Sequence, residues 1–452
     1  MKERYINWAA CLLVLCGAWA SAAAEQAERM SWLDNGQIRL GVDLTIGGAV
    51  TYLADATEKQ NVINSHDWGR QVQMSFYSGP NPFEPNGKKP RPSWAALGWN
   101  PIQSGDCYDN RSEVIDHRND GREIYVKCIP MHWPLENQPG QCTFECWYRL
   151  EGRTVQVRSR LLNARSDTTQ YSARSQELPA VYTNGPYHKL MTYTGDQPFA
   201  DGPLVEIPKQ NHPPGGIRWE HWKATENWAA LVNEDDWGLG VWHPGVYSFI
   251  GGFAGKPGRG GPKDGPTGYI APLHREILDH NIDYDYRYVL ILDDLASIRR
   301  YIYEHTEKPA PPRYTFKGNR QHWTYRQAHD TGWPIEESLH IVADGGDVQL
   351  LGPPALWRAQ EGHRLTIDAA IRTIDSRSGV VATLYWKTFA NDNFASERSV
   401  SLQLKADGQR RPYTVEMGTA SGYRGAITGL RLDPIEDSHK GDQIDLYSVA
   451  IE

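Results

Sequence analysis

Three glutamates stand where a carboxyl group could do acid/base chemistry. Glu226 comes two residues before Trp228 in "TENWAALV", and the period of a strand puts both on one face. Glu220 lies just upstream, beside His221 and Trp222 in "WEHWK". Glu177 sits between polar Gln176 and the apolar run "LPAVY", where a strand enters a core. Loss of water at such a place raises a carboxyl's pKa, which is what a general acid requires. Two such groups, one donating a proton and one accepting a proton or attacking, can break a bond at an anomeric carbon. Glu226, Glu177 and Glu220 are therefore the candidate catalytic residues.

Groups that could hold a polyhydroxylated substrate surround them. Arg70 heads the alternating run "RQVQMSFY"; its plain alternative is an ion pair with Asp67. Asn100, Gln103 and Asp106 lie in the loop "ALGWNPIQSGDCYDNR", where amide groups can fork onto hydroxyls, or simply form Asx turns. His221, Trp222 and Trp228 add a polar ring and two stacking surfaces. Glu276 follows the glycine-rich run 251–272, a loop expectation, and has His274, Asp279 and His280 for company. The acids in "NEDDW", Asn233 to Asp236, read as a hairpin turn between "WAALV" and "GLGVW". Neither H-E-x-x-H nor C-x-x-C occurs, so no cofactor and no metal centre are expected. "DHNIDYDY" leaves a structural calcium open without matching a calcium-loop pattern.

The elements that must position these groups are strands. "QIRLGVDL", "AVTYLA", "REIYVKC", "TVQVRSRLL" and "YDYRYVLIL" alternate with period two and are separated by Gly, Pro, Asn and Asp. The pattern predicts an antiparallel all-β architecture, with no amphipathic helix among the strands. Pro and charge replace the alternation between Glu304 and Tyr314, so the expected division is a first domain at 25–305, a linker at 306–313 and a second β domain at 314–452. In the second, Trp323, Trp333, Trp357, Tyr385 and Trp386 are possible stacking rings; Tyr385 and Trp386, being adjacent, must point to opposite faces.

Residues 1–24 have a basic start, a short apolar run and small residues near Ala24, the form of a secretory signal peptide. A periplasmic or secreted protein without a membrane span is expected. The net charge of -8, with no basic run, argues against nucleic acid and anionic membranes as partners. Export permits disulfides among Cys107, Cys128, Cys142 and Cys146. Cys142 and Cys146 are roughly 13 Å apart on one strand and cannot pair with each other. A hairpin would bring Cys128 to Cys142 and leave Cys107 for Cys146.

"GQIRLGVDLTIGGAVTYL" followed by "NVINSHDWGRQVQMSFYSGP" resembles the opening of galactose mutarotase-like β-supersandwich proteins, a superfamily of aldose epimerases, glycoside hydrolases and polysaccharide lyases. "GYRGAITGLRLDP" with "GDQIDLYSVAIE" resembles a carbohydrate-binding-type jelly roll. The resemblance implies an all-β fold, a supersandwich plus a jelly roll, and an oligo- or polysaccharide as substrate. A second β domain is superfluous for a free monosaccharide, so a glycoside hydrolase using Glu226 and Glu177 is the expectation. A polysaccharide lyase, with His221 or a tyrosine as base and Arg70 neutralising a uronate, and a non-catalytic periplasmic glycan-binding protein are the alternatives.

Overall fold

The computed structural model describes residues 29–208 and 219–452. The signal-peptide reading of residues 1–24 lies outside them. Among the described residues, no helix is long and apolar enough to cross a membrane.

Alternating sequence makes alternating strands. In Thr154–Asn163 every second side chain is buried, so Val155, Val157 and Leu161 face inward and Arg158 and Arg160 outward. This strand lies between Cys142–Glu151 and Asp283–Asp294, paired antiparallel to both. They belong to a nine-stranded back sheet. A ten-stranded front sheet contains, side by side, Val72–Ser75, Arg174–Asn184, Thr267–Glu276, Ser248–Ala254 and Glu220–Lys223. The two sheets enclose one apolar core that includes Phe76, Phe144, Leu161, Val181 and Ile270. Each such side chain contributes about 1.5–3 kcal/mol by leaving water. Thr267–Pro272 belongs to a strand and Gly251–Ala254 to its neighbour, so the glycine-rich loop is shorter than expected. Its Gly265 carbonyl accepts from Arg70 Nη1 at 2.7 Å, which pins the loop beside the front sheet.

The expectation of no helix is corrected by α1, Leu295–His305. Asp294 caps it by accepting from Ser297 N at 2.9 Å, and Ile298 and Ile302, one turn apart, bury themselves against Trp228, Trp242, Val289 and Ile291. Gly240 makes this possible: a Cβ there would stand 2.7 Å from Ile298 Cγ2. The run reads poorly as a helix because it is short, continues directly from a strand and is crowded with Arg and Tyr.

All strands from Arg313 onward form two further six-stranded sheets around Phe316, Trp323, Trp357 and Trp386. Those three tryptophans are core, so they cannot stack on a ligand; Tyr385 lies beneath Arg431 instead.

The disulfide expectation is also corrected: Cys107, Cys128, Cys142 and Cys146 are all free thiols. Cys128 pairs in register with Phe144, which makes Cys142 and Cys146 its diagonal neighbours on the same face. Diagonal side chains are about 7 Å apart, beyond disulfide reach. Burial keeps these three thiols protonated, Cys146 being pushed up to about 11.

Candidate active site

Glu177 projects from the outer face of the front sheet. In register it stands between Ser75 on one neighbouring strand and Leu273 on the other. One extra residue in Arg174–Asn184 between Glu177 and Val181 makes a β-bulge against both neighbours. Its effect is specific. Glu177 and Tyr182 are five apart and would face opposite sides of a regular strand; the bulge shifts the parity and puts both outward. Tyr182 then lies opposite Tyr269 and stacks on it, centroids 4.7 Å apart, while Trp219 packs on Tyr269 from the other side at 5.0 Å. The Tyr269 hydroxyl donates to Glu177 Oε1 at 2.6 Å, and Ser75 Oγ donates to the Tyr77 hydroxyl at 3.1 Å.

Desolvation among these rings raises the Glu177 pKa, against the opposing pull of hydrogen bonds from Tyr269, Tyr77 and Ser75. The expected direction of tuning is present. Tyr77, Tyr182 and Tyr269 are all held well above 10, first by burial and then by the Glu177 charge. The site is therefore a set of proton donors on an aromatic floor.

Arg70 joins its rim. Its Nε is 3.2 Å from Asp67 Oδ2, the plain ion pair, and both charges are felt by the Tyr182 hydroxyl. His221 is exposed on the same face, opposite Ile250. It lies three strands from Glu177, roughly 14 Å across the sheet. Glu220 and Trp222 alternate with His221 and so turn to the opposite face, where Trp222 packs on Phe249. Glu220 and Trp222 are thus removed from the neighbourhood of Glu177.

No protein-family model and no curated protein matches the chain. Solved structures do. A putative aldose 1-epimerase from Escherichia coli K12 is 12% identical, with a TM-score of 0.36, 59% of this chain and 99% of that chain being covered. A galactose mutarotase-like protein from Lactobacillus casei ATCC 334 is 12% identical, with a TM-score of 0.37 and coverage of 58% and 99%. The 4-alpha-glucanotransferase of Thermococcus litoralis is 10% identical, with a TM-score of 0.32 and coverage of 59% and 37%.

The remaining sequence candidates are framework. Glu226 is fully buried, with Arg299 at 2.8 Å; Tyr303 OH, Trp228 Nε1 and Phe199 N also donate to it. Every lone-pair direction is used, so Glu226 fastens α1 and the 199 loop to the back sheet and is not paired with Glu177. Trp228, wholly buried, serves the same anchor. Asn100 donates to Phe76 O at 2.8 Å, and Gln103 accepts from Met74 N and donates to Gly47 O. Gly47 has φ +63, and a Cβ there would strike Gln103 O at 1.9 Å, so the turn closes tightly over Gln103. Asp106 accepts from Tyr108 N, Asn110 N and Asn137 N. For Asn100, Gln103 and Asp106 the turn reading wins over substrate binding, because their polar atoms already satisfy buried backbone groups.

Glu276 is on the inner face of its strand, three residues from outward Leu273, so it too turns away from Glu177. It meets His274, the Tyr284 hydroxyl and, from the second pair of sheets, His322. Among the described residues His274, Glu276 and His322 are the group able to hold a metal. The acids after it are taken by arginines: Asp279 by Arg320, Asp283 by Arg160 and Asp285 by Arg158. Sequence reading missed Tyr77, Tyr182, Tyr269 and Trp219. Tyr77 was legible as an outward member of its alternating run, whereas Tyr269 fell in the run expected to be a loop and Tyr182 depends on the bulge.

Proposed function

We propose that the protein is an exported glycoside hydrolase acting on an oligo- or polysaccharide, with Glu177 as general acid. The observation that carries this is Glu177 itself: a carboxyl group with a raised pKa, on an aromatic face that suits the apolar side of a sugar ring. Glu177 gives its proton to the leaving glycosidic oxygen. Asp67, ion-paired with Arg70 beside Tyr182, takes a proton from the attacking water. Trp219 and Tyr182 support the sugar, and His221 meets a residue further along an extended glycan. Export rests on the character of residues 1–24.

Elimination from a uronate fits less well. It needs His221 or a tyrosine as the base; the tyrosines beside Glu177 are held in their protonated form, and His221 stands three strands away from Glu177. The test is incubation of the full chain with a glycan panel, read by mass spectrometry. Products whose summed mass exceeds the substrate by one water support hydrolysis, an unsaturated product with no mass gain means a lyase, and binding without product means a glycan-binding protein.

A further inference from the structure

The opposite face of the strand that carries Tyr269 holds a second constellation. His274 and Glu276 are two apart on Thr267–Glu276, so the period of the strand turns both inward. His322 reaches them from the other side of the 306–313 segment. It does so from an unusual backbone: Gln321 and His322 both have positive φ, 50° and 63°, a conformation that successive non-glycine residues rarely adopt. The result is convergence on one point. His322 Nδ1 contacts Glu276 Oε1, His274 Nδ1 is 3.6 Å from the same oxygen, and the two imidazole centroids are 3.9 Å apart. The three donor atoms all lie within 4.8 Å of one another.

We propose that His274, Glu276 and His322 form a binding site for a divalent transition metal of the zinc class, joining the two halves of the chain. Two imidazoles and one carboxylate are a donor set that zinc takes readily, with a fourth position for water. Bonds of 2.0–2.1 Å in a tetrahedron place ligand atoms about 3.3 Å apart, close to the His274 to Glu276 spacing already present. The Tyr284 hydroxyl donates to Glu276 Oε1 at 2.8 Å and acts as a positioning residue that aims the carboxylate. Entry is open. The His322 side chain is 39% exposed, while those of His274 and Glu276 are 11% and 8% exposed. The ion would sit on the far side of the sheet from Glu177, so this proposal stands whether or not the protein hydrolyses glycans.

Isothermal titration of the chelator-treated full chain with zinc chloride tests it. One equivalent should bind with a dissociation constant below about 1 µM, and His274→Ala and His322→Ala should each weaken binding by roughly 100-fold or more. Cobalt, in the same position, should give the visible absorption of a four- or five-coordinate ion that His322→Ala abolishes. Glu276→Gln, which keeps the shape of the side chain, guards against misfolding as the cause and should also lose most of the affinity. Absence of saturable binding to the wild-type chain, or unchanged affinity in the folded His322→Ala and Glu276→Gln variants, would overturn the proposal.

Discussion

Glu177 and Glu226 are near-equals in sequence, each a glutamate at the head of an apolar run, and the fold treats them in opposite ways. Glu226 is surrounded by Arg299, Tyr303, Trp228 and a backbone amide, so its charge is fully compensated. Among the described residues Glu177 has tyrosines and no cation in direct contact, so its charge is costly. A buried carboxylate that has collected every available donor is holding structure together. One left with weak donors on an open face is poised to change protonation. The same comparison separates what each residue should do when its charge is removed.

The largest effect expected is on turnover. Glu177→Gln should lower kcat by about 10²–10⁴-fold, the usual worth of a positioned general acid, while circular dichroism and the melting profile show an intact fold. Full activity in that variant would move the acid elsewhere. Next in size, Glu226→Gln should cost about 3 kcal/mol of stability, because it leaves the largely buried Arg299 guanidinium without its counter-charge. Denaturant unfolding measures it, and a loss under about 1 kcal/mol would mean that the pair is no anchor.

The contrast extends to pH. Glu177 titrates higher in the folded state than in the unfolded chain, so its contribution to stability is present below the unfolded value and is lost as pH rises through the folded one. The amide of Glu177→Gln does not ionise. The melting temperature of that variant should therefore match wild type near pH 4, exceed it increasingly as pH rises from there to the raised pKa of Glu177, and hold a constant excess above it. A constant difference from pH 4 upward would show that the Glu177 carboxyl is not desolvated.

Much of this was legible in the chain itself, and the failures share a cause. Alternation gave the strands, and Asn233 does form the expected turn, its side chain accepting from Asp235 N and Trp237 N. The desolvation of Glu177 followed from its place at the head of an apolar run. What period-two reading cannot register is a change of phase. The bulge after Glu177 brings Tyr182 to its side, a one-residue slip that no composition reveals. Register likewise decided Cys128, which stands opposite Phe144 rather than Cys142 and so is not bridged to it. His322 is 46 residues from Glu276, and only the packing of the second pair of sheets on the first brings them together.

The finest test of the comparison uses the hydroxyl that Glu177 does have. Tyr269 donates to Glu177 Oε1 and favours the ionised carboxyl, opposing desolvation. Tyr269→Phe removes that donor and keeps the ring on which Tyr182 stacks, so the Glu177 pKa should rise further. A general acid works only while protonated, so the rate falls as pH rises through its pKa. The variant's alkaline limb in kcat/KM should accordingly move to higher pH, while the rate at low pH changes less than about tenfold. Because Glu226 has no contact with Tyr269, its anchor and the denaturant midpoint at low pH should be little altered. A limb that stays in place, or moves to lower pH, would assign the titration to a group other than Glu177.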